Sequence, residues 1–213
     1  MCSAVAKMGS FKYGSLLSSG LLLSLILGMM LLAGPGCQSV APVVKVGFVA
    51  PFEGRHRAVG YDVLYSARLA VREINEVGGI GGTRIALVAL DDGGNPEFAQ
   101  ATARSLVIDP GVVAVAGHWL PETTAAADVI YEENGLVFLA GGAEPFTVTD
   151  PSQLSAEFVS AYADVSPFDE MPGPYAAPAY AAFQHLFELF AVAQEESGII
   201  TRASVQEALT SLE

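Results

Sequence analysis

Cysteine is nearly absent: the 213 residues hold two, Cys2 and Cys37. Nothing after position 37 can form a disulfide, a thiolate zinc cluster or a thiol nucleophile. Basic side chains are scarce as well, 10 Lys and Arg against 23 Asp and Glu, for a net charge of −13. Phosphate backbones repel such a surface, so no nucleic-acid partner is expected. The 12 prolines and 22 glycines follow no repeat, which excludes collagen-like and low-complexity chains. Gly-x-Ser-x-Gly and His-Glu-x-x-His are both missing, so hydrolysis has no motif behind it, and neither an enzyme nor a cofactor is expected. What the chain does have is apolar material, 52% of its residues, enough to build a core rather than stay disordered.

The charge is uneven. Residues 37–104 carry seven basic and seven acidic side chains, whereas residues 105–213 carry sixteen acids and a single base, Arg202. A solvated acidic surface explains this, and so does an acidic patch that meets a basic partner.

Residues 1–36 read as a secretory signal peptide: Lys7 and Lys12 come first, with no acid among residues 1–13, and an apolar run follows from Leu16 to Ala33. The run is also long enough for an uncleaved anchor. Leu31-Leu32-Ala33-Gly34-Pro35-Gly36-Cys37 resembles a bacterial lipoprotein signal, which implies lipidation at Cys37. Either reading places the remainder outside the cytoplasmic membrane of a bacterial cell, held to that membrane. Residues 37–42 are then the lipidated N-terminus and linker.

From Val43 the pattern alternates. Strands are expected at Val43–Ala50, Arg84–Leu90, Val112–Ala116 and Leu136–Ala140, with Val46, Leu87, Val113 and Phe138 buried. Helices are expected at Gly60–Val77, Pro96–Ile108 and Thr123–Asn134. Continuously apolar strands alternating with helices predict an α/β fold, a Rossmann-like doubly wound parallel sheet spanning residues 43–145. Residues 146–213 carry no further strand and so do not build a second α/β layer; helices are expected there at Ser152–Asp164, Ala179–Gln194 and Thr201–Leu212. Gly78-Gly79-Ile80-Gly81-Gly82 follows a helix and precedes a strand, so it is a cap and turn, not a phosphate loop. Asp91 to Asn95 lacks calcium-loop spacing and reads as a turn with an N-cap. His118 and Glu122 lack a third zinc ligand.

Ligands of open α/β sheets sit beyond the carboxyl ends of the strands. Those ends gather Phe52, Arg57, His118, Trp119, Thr123, Gly142, Ala143 and Glu144, the expected ligand-binding set.

Val46 to Gly54, Ala70-Val71-Arg72-Glu73-Ile74-Asn75, Gly78 to Gly82 and Asp91-Asp92 resemble the first lobe of type I periplasmic solute-binding proteins. The branch is the leucine/isoleucine/valine-binding group of ABC importers. Gly117-His118, Tyr131-Glu132 and Gly135 continue the likeness, and residues 155–212 resemble the late segment that re-enters the first lobe, which implies that residues 146–213 are returning helices completing that lobe. The resemblance implies that most of the second lobe is missing near Pro145. It also implies an extracytoplasmic, non-enzymatic protein that binds an amino acid or similar small solute and docks on an ABC permease. Where the family places ligand-contacting Ser, Thr and Tyr, this chain has Pro121, Glu144 and Val59, so weakened binding is implied. The main chain of Trp119, Gly142 and Ala143 remains available to a ligand. A single-lobe interaction or sensor module is the alternative.

Overall fold

The computed structural model describes residues 40–141 and 148–212. The signal segment, Cys37 and the expected site residues Gly142, Ala143 and Glu144 lie outside the described residues. In chain order the elements are β1 (Val43–Ala50), a short 3-10 turn (Gly54–His56), α1 (Arg57–Glu76), β2 (Arg84–Asp91), α2 (Pro96–Val107) and β3 (Val112–Gly117). They continue with α3 (Pro121–Glu133), β4 (Val137–Ala140), a 3-10 turn (Pro151–Gln153), α4 (Ala156–Ala163), α5 (Ala176–Ser197) and α6 (Arg202–Leu212).

All strand pairs are parallel, in the order β2-β1-β3-β4. This is the expected α/β layer. Because parallel strands are linked by helices that cover both faces, side chains of either parity are buried. Val46, Phe48, Ala114 and Ala116 face a core closed by Phe183, Phe187 and Phe190 of α5 and Val205 of α6. Val49, Val112 and Val115 face the opposite side, against Leu106 of α2 and Ala127 and Tyr131 of α3. Val46 and Val113 are buried as expected, while Leu87 and Phe138 are half-buried. The difference follows from strand order: β2 and β4 are the edges of the described sheet.

Three helices begin earlier than expected, among them α3, which starts at Pro121 rather than Thr123. α1 starts at Arg57 rather than Gly60, and Gly60 sits inside it because a Cβ there would stand 2.1 Å from the Pro51 carbonyl oxygen. α5 starts at Ala176, and Pro178 falls in its first turn, where a missing N–H costs nothing. α4 is shorter than expected because Ser155 caps it, accepting from the Phe158 N–H at 3.1 Å. The two turns behave as read: Gly78 and Gly79 hold left-handed backbone at φ 100° and 77°, and Asn95 accepts from Glu97 N–H at 2.8 Å.

Arg202 locks α6 to the sheet. Its guanidinium donates to the carbonyls of Asp109 at 2.6 Å, Val112 at 2.7 Å, Val107 at 3.0 Å and Leu106 at 3.3 Å. Two of these are last-turn carbonyls of α2, which no helical N–H reaches.

Candidate functional site

The strand ends are knitted together by the main chain. His118 N–H donates to Val49 O at 2.8 Å, Gly141 N–H to Gly117 O at 2.8 Å, and Asp92 N–H to Ala50 O at 3.3 Å. Asp91 Oδ1 accepts from Phe52 N–H and from Gly93 N–H, both at 2.8 Å, and so fixes the loop after β1 onto the end of β2. Phe52 is half-buried, its ring 5.8 Å from Tyr61 and 6.1 Å from Phe48. Arg57 opens α1 and is exposed, its guanidinium carbon 5.9 Å from the Tyr61 ring centre. These two expected residues stand at the open rim.

The next two lie beneath it. Trp119 is buried on the α1/α5 side, 6.3 Å from Phe48. Gly141 packs so closely on the indole that a Cβ there would be 2.6 Å from the ring. Thr123 is buried, and its hydroxyl donates to Leu120 O at 3.1 Å in the first turn of α3.

His118 departs from expectation. Gly117 at φ 145° and His118 at φ 51° turn the chain, and the imidazole points away from the rim into the α2/α3 side. It is fully buried. Its Nδ1 lies 3.0 Å from Asp92 Oδ2 and its Nε2 lies 3.0 Å from the Tyr131 hydroxyl. With both ring nitrogens engaged by protein, the side chain has no atom left for a solute in this arrangement. Asp92 on one side and Tyr131 on the other fix the orientation of the ring. Burial, reinforced by the Asp92 charge, pushes the Tyr131 phenol above its ordinary range, so that hydroxyl keeps its proton. Asp92 Oδ1 also accepts from Gly94 N–H at 2.9 Å, and the Thr124 hydroxyl donates to the His118 carbonyl. The cluster thus ties together the ends of β2 and β3 and the body of α3. Nothing in the spacing of Asp92, His118 and Tyr131 marks them as partners. Only the left-handed backbone at 117–118 joins them.

Residues missed by sequence reasoning are Asp62, Tyr162 and Gly173. Asp62 Oδ1 accepts from Gly173 N–H at 2.7 Å and the Tyr162 hydroxyl at 3.1 Å, and Oδ2 accepts from Tyr175 N–H at 2.8 Å. Burial outweighs these bonds and raises the carboxyl above its ordinary range. A lone Asp within a helix gave no sign of this.

Among the described residues no cluster of His, Cys, Asp and Glu is arranged to hold a metal ion, and no helix is long and apolar enough to cross a membrane.

Residues 43–153, just over half of the chain, match the model of the family described as "Periplasmic binding protein". The chain belongs to the periplasmic binding protein family. Relatives in this family include an amino acid binding protein of Pseudomonas aeruginosa, 32% identical over 126 residues, which cover 59% of this chain and 33% of the relative. The leucine-specific-binding protein of Salmonella typhimurium is 32% identical over 139 residues, 65% of this chain and 36% of the relative. The chain therefore spans about a third of the length of the curated relatives it matches. Among solved structures, the branched-chain amino acid transporter substrate binding protein LivJ from Streptococcus pneumoniae, in complex with isoleucine, superposes with a TM-score of 0.62 at 15% identity. That match covers 78% of this chain and 87% of LivJ. The likeness shows the fold, a type I periplasmic-binding layer, of which the described residues form about one lobe.

Proposed function

We propose that this chain is an extracytoplasmic solute-binding protein of an ABC import system, with the strand-end rim as its recognition surface for an amino acid or similar small solute. The observation that carries the reading is the convergence of the β1 and β3 ends on one side of a parallel sheet whose sequence matches the family. Phe52 and Arg57 flank this rim, an apolar face and a cation suited to a side chain and a carboxylate. Gly142, Ala143 and Glu144 follow β4 in the chain and complete the proposed set, and Trp119 and Thr123 support it from below. His118 acts as a brace for the rim and makes no ligand contact. Non-enzymatic binding, docking on a permease and attachment through lipidated Cys37 belong to the same proposal.

A solute held by one lobe keeps a face in water, so the dissociation constant is expected at about 0.1–1 mM, near 4–5.5 kcal/mol. Calorimetry on the full chain in mild detergent, with leucine, isoleucine, valine and charged amino acids, tests this. Failure of every amino acid to bind would favour the interaction-module alternative. Mass spectrometry of membrane-extracted protein tests the anchor: an intact Met1 N-terminus or an unmodified Cys37 would refute it.

A further inference from the structure

The end of the sheet opposite the rim is poor in charge. Among the described residues five segments meet there: 41–42, 77–83, 108–111, 134–136 and 198–201. Each helix between parallel strands returns to the start of the next strand, so these segments share one end of the layer. Close contacts join four of them. Arg84 N–H donates to Pro42 O and Lys45 N–H to Gly111 O, both at 2.8 Å. Arg202 donates to Asp109 O at 2.6 Å, and a Cβ on Gly81 would stand 2.6 Å from Gln194 in the last turn of α5.

The five segments contain a single ionisable side chain, Asp109, which the Lys45 ammonium meets at 2.7 Å. The loops of the rim end, by contrast, hold Glu53, Arg55, His56 and Asp92. Aliphatic side chains stand exposed in place of charges. Val77 and Ile108, which close α1 and α2, are 78% and 79% exposed, Ile199 is 59% exposed and Val43 54%. Single exposed aliphatics are ordinary on a protein surface, whereas four on one end of a chain with a net charge of −13 form a face. Behind the segments both signs occur, Glu76, Glu133, Glu195 and Glu196 in last helical turns and Arg84 and Arg104 on β2 and α2.

Chain length decides what meets this face. Val43 is six positions after Cys37, so a lipid on Cys37 holds the bilayer within about 20 Å of the start of β1. The strand itself runs about 25 Å from that point towards the rim, so the tether is too short to lay the rim on the same bilayer. We propose that the charge-poor end seats on the surface of the bilayer that holds Cys37, with Val43, Val77, Ile108 and Ile199 at the interface. The inference rests on the lipidation proposed above. Tethering raises the local concentration of the surface, so a shallow apolar contact suffices. In this seating the rim opens away from the bilayer, towards incoming solute.

The lipidated full chain in vesicles of phosphatidylethanolamine and phosphatidylglycerol, with a nitroxide on the lipid headgroup, tests this. A fluorophore is placed on Val77→Cys, Ile199→Cys or, at the rim end of α3, Glu122→Cys. Quenching at 77 and at 199 should exceed that at 122 at least about threefold. Ile108→Glu combined with Ile199→Glu should reduce quenching at 77 at least about twofold, because charge resists entry into the interface. Both side chains are exposed, so the melting temperature should hold. With Cys37 found lipidated by mass spectrometry, equal quenching at the three positions would overturn the proposal. So would energy transfer between copies labelled at 77 in place of lipid quenching, which would assign the face to a second copy. An unmodified Cys37 would overturn the anchor and this seating together, so the two failures are distinguishable.

Discussion

Two side chains show how one residue can organise distant segments. Arg202, the single base among residues 105–213, meets no acid as its main partner. It donates to four backbone carbonyls around the end of α2 and the start of β3. Arg202→Ala should cost about 2–4 kcal/mol, because partly buried carbonyls lose a charged donor. Arg202→Lys should restore less than half, since a single ammonium cannot span the same set. Urea unfolding midpoints measure both, and a lysine variant as stable as the parent would contradict the fork geometry. Asp62 makes a pH prediction. Its folded carboxyl lies above the ordinary 3.8, so the folded state holds the proton more tightly than the unfolded chain. Its contribution to stability therefore declines as pH rises from 3.8 through the folded value, and the full cost is present above that. Asp109 acts oppositely. The Lys45 ammonium at 2.7 Å and the Gly111 N–H hold its carboxyl below the ordinary value, so its contribution is lost as pH falls. In urea unfolding from about pH 4 to 7, the parent should lose stability relative to Asp62→Asn. A gap that stays constant, or that moves in the parent's favour, would refute the shift.

At the scale of elements, the β1 end and α1 meet at Gly60. Intrinsic propensity says that Gly→Ala inside a helix gains about 1 kcal/mol. Contact says the reverse, because the new Cβ would meet Pro51 O at 2.1 Å and Pro51 C at 2.7 Å. Backbone against backbone cannot yield cheaply, so Gly60→Ala should destabilise by about 2–4 kcal/mol, read as a lower unfolding midpoint. A neutral or stabilising result would show that α1 can slide away from the strand end. This contact also explains what the sequence could and could not disclose. Strand positions, helix order and both turns were legible because apolar runs, caps and glycines are local signals. Gly60 looked like a helix boundary because its reason for being glycine is a neighbour nine positions away. Phe52 and Arg57 were legible at the strand end because sheet topology alone delivers them there. His118 was misplaced for the opposite reason: two consecutive residues at positive φ reverse the facing that strand-end position implies. The Asp62 bonds to Gly173 and Tyr175 span more than a hundred positions and carry no periodic signature.

For the whole molecule, the decisive quantity is how much a solute at the rim can stabilise the fold. Ligands that bind only the folded state add RT ln(1 + [L]/Kd). With a dissociation constant of about 0.1–1 mM, about 10 mM amino acid contributes roughly 1.4–2.7 kcal/mol. In a domain of this size that becomes an upward shift of about 3–10 °C in melting temperature. Two-lobed closure would do more, because buried ligand surface and excluded water strengthen each polar contact. The expected melting curve therefore rises with logarithm of ligand concentration only in the millimolar range and is flat at micromolar concentrations. Arg57→Gln should flatten it throughout, since the rim would lose its cation while the exposed side chain contributes little to the fold. Saturation at micromolar amino acid would mean that the described lobe alone encloses its solute. A flat response at every concentration, with the parent folded, would move the chain to the interaction-module reading.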